Sequence, residues 1–405
     1  MITLLKRIII SVVFTVTVHT GVFAQSTVTY DDNRMAALKE AYLNRDQRVL
    51  PYINSIIESA EKYFIDRPFN IVSNKKHIAP SKDPRDYVSL SRYWWPNPDA
   101  KDGLPYIRFD GKSNPELEEY DYRKITELEG VVSNLGLLYY FTGTERYAKR
   151  AAGILREWFL VPVTGMNPNM IYAQSVPGMM TLRGTGILDA RSIVYAMNGA
   201  KLIEGSKYWS NNDKIALQEW IKAFLYWMQN STQGQMEFKA ANNHGLWYDV
   251  TRMAMYCYLD DYTSMKSIVS TSLLLRLDQQ QEGDGSFPQE LARTLGLSYT
   301  TFVLDALYEA SDIAAKAGLD LWSITTEKGS SIAKGVEFAF QYYINPGKWP
   351  FQQISAFETG RGSMALYIAG MKLNKKEYVE AARKIGYQPK TNLKYLLNFD
   401  IIEKK

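Results

Sequence analysis

Apolar residues recur at helical spacing along most of the chain. Between residues 116 and 141, Leu128, Val131, Val132 and Leu135 lie three or four positions apart, as on one face of an amphipathic helix. Alternating β-branched runs, which would predict strands, are almost missing from the sequence. The pattern therefore predicts an all-α fold. Further helices are predicted over residues 35–59, 145–159, 187–205, 213–229, 246–259, 263–281, 291–318, 327–344, 361–370 and 376–386.

The predicted helices are of similar length and alternate with either short polar turns or long loops rich in Trp, Pro, Asn and Gly. Antiparallel hairpins of this kind favour an (α/α)n toroid or incomplete barrel, with the long loops forming a cleft at one end. Two separate helical bundles are the alternative. Because no Ser/Gly linker and no sharp change of composition divides the chain, residues 25–405 are predicted to form a single domain.

The N-terminus has the pattern of a signal peptide. Lys6 and Arg7 precede an apolar run over residues 8–23, and Ala24 ends a cleavage site of small residues. Residues 1–24 are thus predicted to be removed, with Gln25 as the first mature residue; an uncleaved anchor is the alternative. We expect a periplasmic or secreted protein, without a lipid anchor because no Cys stands at the cleavage point.

The composition of the chain excludes several classes of function and of binding site. The formal net charge is +4 and falls to +2 without Lys6 and Arg7, which is too small for a nucleic-acid-binding stripe. The single cysteine, Cys257, excludes an internal disulfide and a Cys-based zinc site. Tyr and Trp are abundant enough to furnish a sugar-binding cleft as well as a core. We expect a monomer that needs neither metal nor cofactor.

Two segments carry candidate chemistry next to predicted helix starts. In Asn242-Asn243-His244-Gly245, two amides and an imidazole lie at a helix N-terminus, where free N–H groups and the helix dipole attract an anion. A capping cluster with Asn243 as N-cap is the alternative. In the second segment, residues 284–299, Glu290 and Arg293 lie three positions apart and Tyr299 opens the next helix; a surface ion pair and a core tyrosine are the alternative.

Two loops add aromatic and polar groups. Tyr93-Trp94-Trp95-Pro96 follows Arg92, and three consecutive aromatics in a Pro-rich loop cannot all be buried, so this loop is a candidate carbohydrate platform or interface. The second loop, residues 166–174, includes Asn167, Tyr172 and Gln174.

Taken together and in this order, these segments resemble the alginate lyase superfamily. The similarity covers roughly residues 80–360 and is closest to polysaccharide lyase family 38, with family 5 as a relative. The resemblance implies a helical toroid and β-elimination on a uronate polymer, with Asn243, His244, Arg293 and Tyr299 at the catalytic positions. The Arg293–Tyr299 gap is slightly shorter than in family 5, which leaves the choice of tyrosine open. Predicted substrate-binding residues are Asn242, Tyr93, Trp94, Trp95, Arg92, Tyr172, Gln174, Tyr248 and Glu237.

The chemistry explains why such residues are needed. A uronate lyase removes the proton on C5, beside a carboxylate, so donors must stabilise the charge that builds up there. In mannuronate and glucuronate chains H5 and the C4 oxygen share a ring face, so Tyr299 can serve as base and acid, provided that its phenol is ionised or deprotonates as it acts. Arg293 and His244 are the groups able to lower its pKa from about 10. Guluronate would need a separate base, His244. A mannuronate preference is therefore expected.

Other functions remain open from sequence alone. A glucuronan lyase would use the same mechanism. An (α/α)-barrel glycoside hydrolase acting on uronides would need a carboxylate pair, for which Asp249, Asp284 and Glu290 are candidates. A non-catalytic glycan-binding protein is the third class.

Overall fold

The computed structural model describes residues 26–64, 67–386 and 397. The predicted signal peptide lies outside these residues, and the single-domain boundaries stay a prediction. In the described ranges, the α-helices are α1 (Asp32–Leu43), α2 (Leu50–Ser59), α3 (Asp121–Thr142), α4 (Glu145–Leu155), α5 (Arg191–Leu202), α6 (Asn211–Asn230), α7 (Thr232–Phe238), α8 (Asn243–Tyr258), α9 (Tyr262–Ile268), α10 (Leu274–Gln280), α11 (Pro288–Leu291), α12 (Gly296–Ala315), α13 (Ile332–Ile344), α14 (Thr359–Lys372) and α15 (Lys376–Lys384).

Four very short strands complete the regular structure within those ranges: β1 (Val88–Leu90), β2 (Trp94–Trp95), β3 (Ile107–Arg108) and β4 (Tyr172–Ser175). The all-α prediction is confirmed. None of the described helices is both long enough and apolar enough to cross a lipid bilayer.

The helices form an inner series and an outer series. In the inner series α3, α5, α8, α12 and α14 pack one against the next, and α4, α6, α9, α13 and α15 pack against them. The inner helix α8 is buried on nearly all sides, including polar positions such as Asp249 and Thr251. Outer α15 buries only one face, through Tyr378, Ala381 and Ala382. Inner helices are sandwiched between neighbours, whereas an outer helix keeps one polar face in water.

Two glycines let the inner helices α3 and α5 approach closely. A Cβ built on Gly136 would lie 2.8 Å from the Cα of Gly199, and one on Gly199 would lie 2.4 Å from the carbonyl oxygen of Val132. Both contacts are to backbone, so no side-chain rotation could relieve them. The absence of a side chain at this crossing therefore sets the distance between the two helices.

The short strands hold two long loops over one end of the helices. β1 pairs in parallel with β4, and β2 pairs with β3 so that Trp94 faces Arg108 and Trp95 faces Ile107. The N–H of Ser91 donates to the carbonyl of Ser175 at 2.9 Å. The aromatic loop that follows Ser91 is thereby brought beside the loop that follows β4.

We expect Gly199→Ala to destabilise the fold. The added methyl group must push α3 and α5 apart, and overpacking of this kind costs about 1–3 kcal/mol, of which at most about 1 kcal/mol is recovered through higher helix propensity. Urea unfolding measures the change. The matched control is Gly153→Ala on α4, where the new methyl group meets no atom within 4 Å. Equal denaturation midpoints for the two variants would contradict the packing argument.

Candidate active site

A cleft of about 1160 Å³ opens beneath the two long loops. Its wall combines loop residues with the beginnings of α8 and α12 and inward-facing side chains of α3 and α5. The structure brings ten of the thirteen residues predicted from sequence into this wall. They are Arg92, Tyr93, Trp94, Gln174, Glu237, Asn242, Asn243, His244, Arg293 and Tyr299.

Tyr299 lies in the first turn of α12, between a guanidinium and a second phenol. Arg293 Nη2 donates to the Tyr299 hydroxyl at 2.8 Å, and its guanidinium carbon lies 3.9 Å from the centre of the tyrosine ring. The Tyr299 hydroxyl donates to the Tyr93 hydroxyl at 2.6 Å. The phenolic oxygen is thus fixed in the cleft by one cationic donor and one acceptor.

Asp110 fixes Arg293 in turn. Arg293 Nη2 lies 2.6 Å from Asp110 Oδ1, and Nε lies 3.0 Å from Oδ2. The hydroxyl of Thr294 donates to the same carboxylate at 2.9 Å, and Arg108 pairs with it at 2.6 Å. Although burial opposes the charged carboxylate, the Arg293 hydrogen bond and charge hold the pKa of Asp110 well below its usual range. Asp110 was missed because it lies far from Arg293 in sequence and belongs to no motif.

A lowered pKa, one of the two ways in which Tyr299 could supply a phenolate, is not found. Burial raises the pKa of Tyr299 well above its usual value, and Tyr93 adds to the rise, while Arg293 opposes it without prevailing. In the free protein Tyr299 is therefore a neutral phenol at physiological pH. The sequence could place a cation beside the ring but could not show how much water the ring would lose.

Two asparagines at the start of α8 make different hydrogen bonds. The Asn242 side chain accepts from the N–H of His244 at 3.2 Å, so Asn242, and not Asn243, is the N-cap. Asn243 is buried and donates from its backbone N–H and its Nδ2 to the two oxygens of Glu290, at 2.7 and 2.8 Å. The anion at this helix N-terminus includes a carboxylate of the protein itself, which locks the Asn243 amide in one orientation.

Glu290 is therefore neither a surface residue nor an exposed partner of Arg293. It is almost fully buried, and burial raises its pKa, against the opposing effect of the Asn243 hydrogen bonds. The alternative of a Glu290–Arg293 surface ion pair is not found: Glu290 pairs with Asn243, and Arg293 pairs with Asp110.

His244 forms a dyad with Glu237. The imidazole Nδ1 lies 2.6 Å from Glu237 Oε1, which assigns the Nδ1 proton to this contact and leaves Nε2 for the cleft. Burial lowers the stability of the imidazolium, but the Glu237 charge and hydrogen bond outweigh it and raise the pKa of His244 above 6.5. The imidazole therefore stays cationic to higher pH than a free histidine.

Arg276 on α10 supports this segment from behind. Its Nε lies 3.0 Å from the buried Asp249, and its two terminal nitrogens donate to the carbonyls of Ala240 and Phe238 at 2.9 and 2.8 Å. A Cβ on Gly245 would lie 2.3 Å from Arg276 Nη1. Glycine is needed after His244 because the guanidinium occupies the space of a side chain.

Gln174 is held by strained backbone. Its φ is +47°, which is uncommon for a residue other than glycine, and its N–H donates to the Ser89 hydroxyl at 2.8 Å. Its side-chain Nε2 donates to the buried Asp189 at 3.1 Å, so the amide oxygen is the free acceptor. Burial raises the pKa of Asp189, against its hydrogen bonds. Backbone strain of this kind is typical of functional positions.

Three predicted substrate-binding residues lie outside the cleft wall. The Tyr248 hydroxyl donates to the carbonyl of Met228 at 2.8 Å in the core, and the Trp95 indole donates to the carbonyl of Lys112 at 2.9 Å. Tyr172 pairs with Val88 in the strand pair. These positions correct the sequence-based expectation: the periodicity of α8 turns Tyr248 inward, and strand alternation separates Trp95 from Trp94.

The carboxylates considered for a hydrolase also lie outside the wall. Asp249 and Glu290 are buried in the pairings described above. Asp284 accepts from the N–H of Ser286 at 2.9 Å within a turn. Among the described residues, no group of three or more His, Cys, Asp or Glu side chains is arranged to hold a metal ion.

The wall is strongly cationic. In the described part of the chain, six arginines line it against three carboxylates, Glu129, Asp189 and Glu237. The arginines are Arg92, Arg108, Arg183, Arg191, Arg293 and Arg361. Such a concentration of one charge in a concave site attracts an anionic ligand.

We expect Glu237→Gln to lower the pKa of His244. Removing the carboxylate leaves burial, which disfavours the imidazolium, as the dominant influence, so the pKa should fall from above 6.5 to below it. An NMR titration of the imidazole C–H signals measures the change, since the whole sequence holds only three histidines. A His77→Gln variant identifies the His77 signal and should leave the His244 titration unchanged. An unaltered His244 pKa in Glu237→Gln would contradict the dyad.

Known proteins that are similar to this chain are alginate lyases. A family model described as alginate lyase matches residues 70–349. An alginate lyase from Bacteroides ovatus superposes with a TM-score of 0.88 at 33% identity, covering 92% of this chain and 99% of that one. No curated protein matches significantly.

More distant structures share the fold. Alginate lyase A1-III from Sphingomonas species A1 gives a TM-score of 0.60 at 19% identity, covering 93% of this chain and 98% of that one. A variant of A1-III complexed with a tetrasaccharide gives 0.59 at 17% identity, covering 88% and 92%. The predicted helical toroid is confirmed. Since the family model spans most of the chain and the Bacteroides ovatus enzyme matches nearly all of it, the protein belongs to the alginate lyase family of polysaccharide lyases.

Proposed function

We propose that the protein cleaves β-1,4-linked polyuronate, with alginate rich in mannuronate as the preferred substrate, by syn β-elimination. The products would be chains that end in a 4,5-unsaturated uronate. The observation that carries the proposal is the Tyr299 hydroxyl, fixed between Arg293 and Tyr93 in a cationic cleft that also holds His244.

The first chemical requirement is to neutralise the carboxylate beside C5. His244 supports this role best, because its raised pKa keeps a positive charge on the ring and Nε2 is available to donate. The Asn243 amide, held by Glu290, has one further N–H, and Asn242 adds another amide. The Arg293 guanidinium already donates to Asp110 and to the Tyr299 hydroxyl. In this proposal it therefore stabilises the phenolate of Tyr299 more than the carboxylate of the substrate.

The second requirement is a proton shuttle on one face of the sugar. Tyr299 first releases its own proton to the solvent of the open cleft, and the Arg293 N–H stabilises the charge on the phenolic oxygen; each turnover then regenerates this phenolate. The oxygen then takes H5; the C5–H electrons form the C4=C5 double bond as the C4–O bond breaks. The same proton passes from Tyr299 to the leaving oxygen. Since Tyr299 is neutral at rest, forming the phenolate is part of the barrier.

A glucuronan of the same linkage is the alternative substrate, because it differs from mannuronan only at C2. A uronide hydrolase has less support, since Asp249, Asp284 and Glu290 lie outside the cleft wall. We propose further that the protein acts in the periplasm or outside the cell after removal of residues 1–24, as a monomer and without a metal or cofactor.

A panel of polyuronates tests the activity. Mannuronan, guluronan, mixed alginate and glucuronan are incubated with the protein, and the ultraviolet absorbance of the C4=C5 double bond is followed. We expect the fastest rise with mannuronan. New reducing ends without this absorbance would indicate hydrolysis and contradict the proposal, as would the absence of any reaction.

We expect Tyr299→Phe to abolish turnover while substrate affinity changes little. The substitution removes only the oxygen that moves the proton, and loss of a group that acts in the transition state lowers kcat, not ground-state binding. Initial rates measure kcat, and calorimetry with a mannuronate oligosaccharide measures affinity. Tyr226→Phe, an exposed tyrosine outside the cleft, is the matched control and should behave as wild type. Near-normal turnover by Tyr299→Phe would contradict the assignment.

A further inference from the structure

The first turn of α12 carries Tyr299 but has no capping side chain of its own. Its N-cap is Leu295, whose side chain is apolar and caps no N–H group. The first four N–H groups of an α-helix lack partners within the helix, and helix ends that are not capped fray. The Tyr299 hydroxyl is nevertheless held against Arg293 and Tyr93. The position of this turn therefore depends on a residue outside the helix.

Gln353 supplies the missing cap from a distant part of the chain. Its Oε1 accepts from the N–H of Leu297 at 3.1 Å, and its Nε2 donates to the Ser298 hydroxyl at 3.0 Å. Nε2 also donates to the carbonyl of Ser355 in its own loop, at 3.1 Å. One amide group thus joins this loop to the two consecutive residues that precede Tyr299.

The backbone of the same loop contacts the start of α12 as well. The N–H of Gly296 donates to the carbonyl of Gln352 at 2.9 Å, and Leu295 forms an isolated antiparallel bridge with Gln353. The side chain of Gln353 therefore continues, into the first turn of the helix, an attachment that the backbone begins.

Trp349 fixes the loop that carries Gln353. Its buried indole makes edge-to-face contacts with Phe338 and Tyr342 of α13, with ring centres 6.1 and 4.8 Å apart. A Cβ built on Gly296 would lie 3.2 Å from the Trp349 ring. The loop is thus packed on α13 and on the start of α12 at the same time. Since close-packed groups have little freedom to shift, Gln353 approaches α12 from a fixed position.

We propose that Gln353 is a positioning residue for the elimination: by capping α12 from the loop after α13, it holds the Tyr299 hydroxyl at a fixed distance from Arg293. This inference rests on the proposed function and adds to it a residue that acts through the helix. Gln353 is not among the described residues that line the cleft, so it acts on the phenol and not on the substrate.

The test compares Gln353→Met, Gln353→Glu and wild type on mannuronan. Met keeps the length of the side chain but lacks the amide. We expect Gln353→Met to lower kcat about ten- to a hundredfold and to change KM less than about twofold, because a misplaced phenol weakens only the transition state. Gln353→Glu keeps an acceptor for the N–H of Leu297 and should recover part of kcat.

The matched control is Gln352→Met. Gln352 is exposed, and it contacts α12 through its carbonyl, so this variant should keep the wild-type kcat. Circular dichroism gives the folded fraction, and rates are expressed per folded molecule well below each unfolding midpoint. A merely structural role would lower the midpoint of Gln353→Met and leave this kcat unchanged. Gln353→Asn, one methylene shorter, replaces Gln353→Met if that variant does not fold.

Equal kcat values for Gln353→Met and Gln352→Met would overturn the inference, as would a raised KM at constant kcat. A Gln353→Glu variant no faster than Gln353→Met would overturn the capping step.

Hydrogen exchange separates the failure of this inference from the failure of the proposed function. The backbone amides of residues 296–299 should exchange faster in Gln353→Met than in Gln352→Met, because the first turn opens more often. Should wild type cleave no polyuronate, the proposed function fails, and this comparison still decides whether Gln353 holds the turn that carries Tyr299. Equal exchange rates in the two variants would overturn the inference.

Discussion

The pairing of Arg293 with Asp110 is the interaction on which the site depends. It joins a loop near residue 110 to the start of α12, and thereby holds the Tyr299 hydroxyl against Tyr93. Both partners are mostly shielded from water, so the bidentate geometry matters: a partly buried ion pair stabilises only when its hydrogen bonds are well formed. A Cβ on Gly111 would lie 2.5 Å from the Thr294 hydroxyl, so the loop approaches this pair without a side chain between them.

The same rule governs two further polar groups of the site, because each of them is oriented by a carboxylate. Glu237 fixes the imidazole of His244, and Glu290 fixes the amide of Asn243. These acids do not react in the proposed mechanism; they keep donors aimed at one region of the cleft before substrate arrives. Preorganised donors of this type lower a barrier because no reorganisation is needed as charge develops. The pKa values of both rings are raised, but for different reasons: the Glu237 carboxylate stabilises the imidazolium of His244, whereas burial disfavours the phenolate of Tyr299.

Periodicity and loop composition are local properties, so the sequence predicted most of the helices, and ten of the thirteen predicted site residues line the cleft. Long-range pairings were not predictable. The helix expected over residues 291–318 begins only at Gly296, because the N–H of Ile354 donates to the carbonyl of Thr294 and the N–H of Gly296 donates to the carbonyl of Gln352, both at 2.9 Å. That distant segment interrupts the helix and leaves Arg293 in a loop, free to reach Asp110. The sign of the Tyr299 pKa shift was missed for the same reason: burial is set by segments remote in sequence.

The small net charge of the whole chain does not reveal the concentration of arginines in the cleft. A formal charge of +4 spread over 405 residues excludes a nucleic-acid stripe, yet six arginines of the described chain meet in one cleft. These arginines divide by their partners. Arg293 pairs with Asp110 and donates directly to the Tyr299 hydroxyl, whereas Arg183 lies on a loop that contacts α7 and the segment near Tyr106 and, within the described ranges, has no carboxylate at ion-pair distance. The positive charge of the cleft thus comes from segments that are far apart in the sequence, which no local pattern could show.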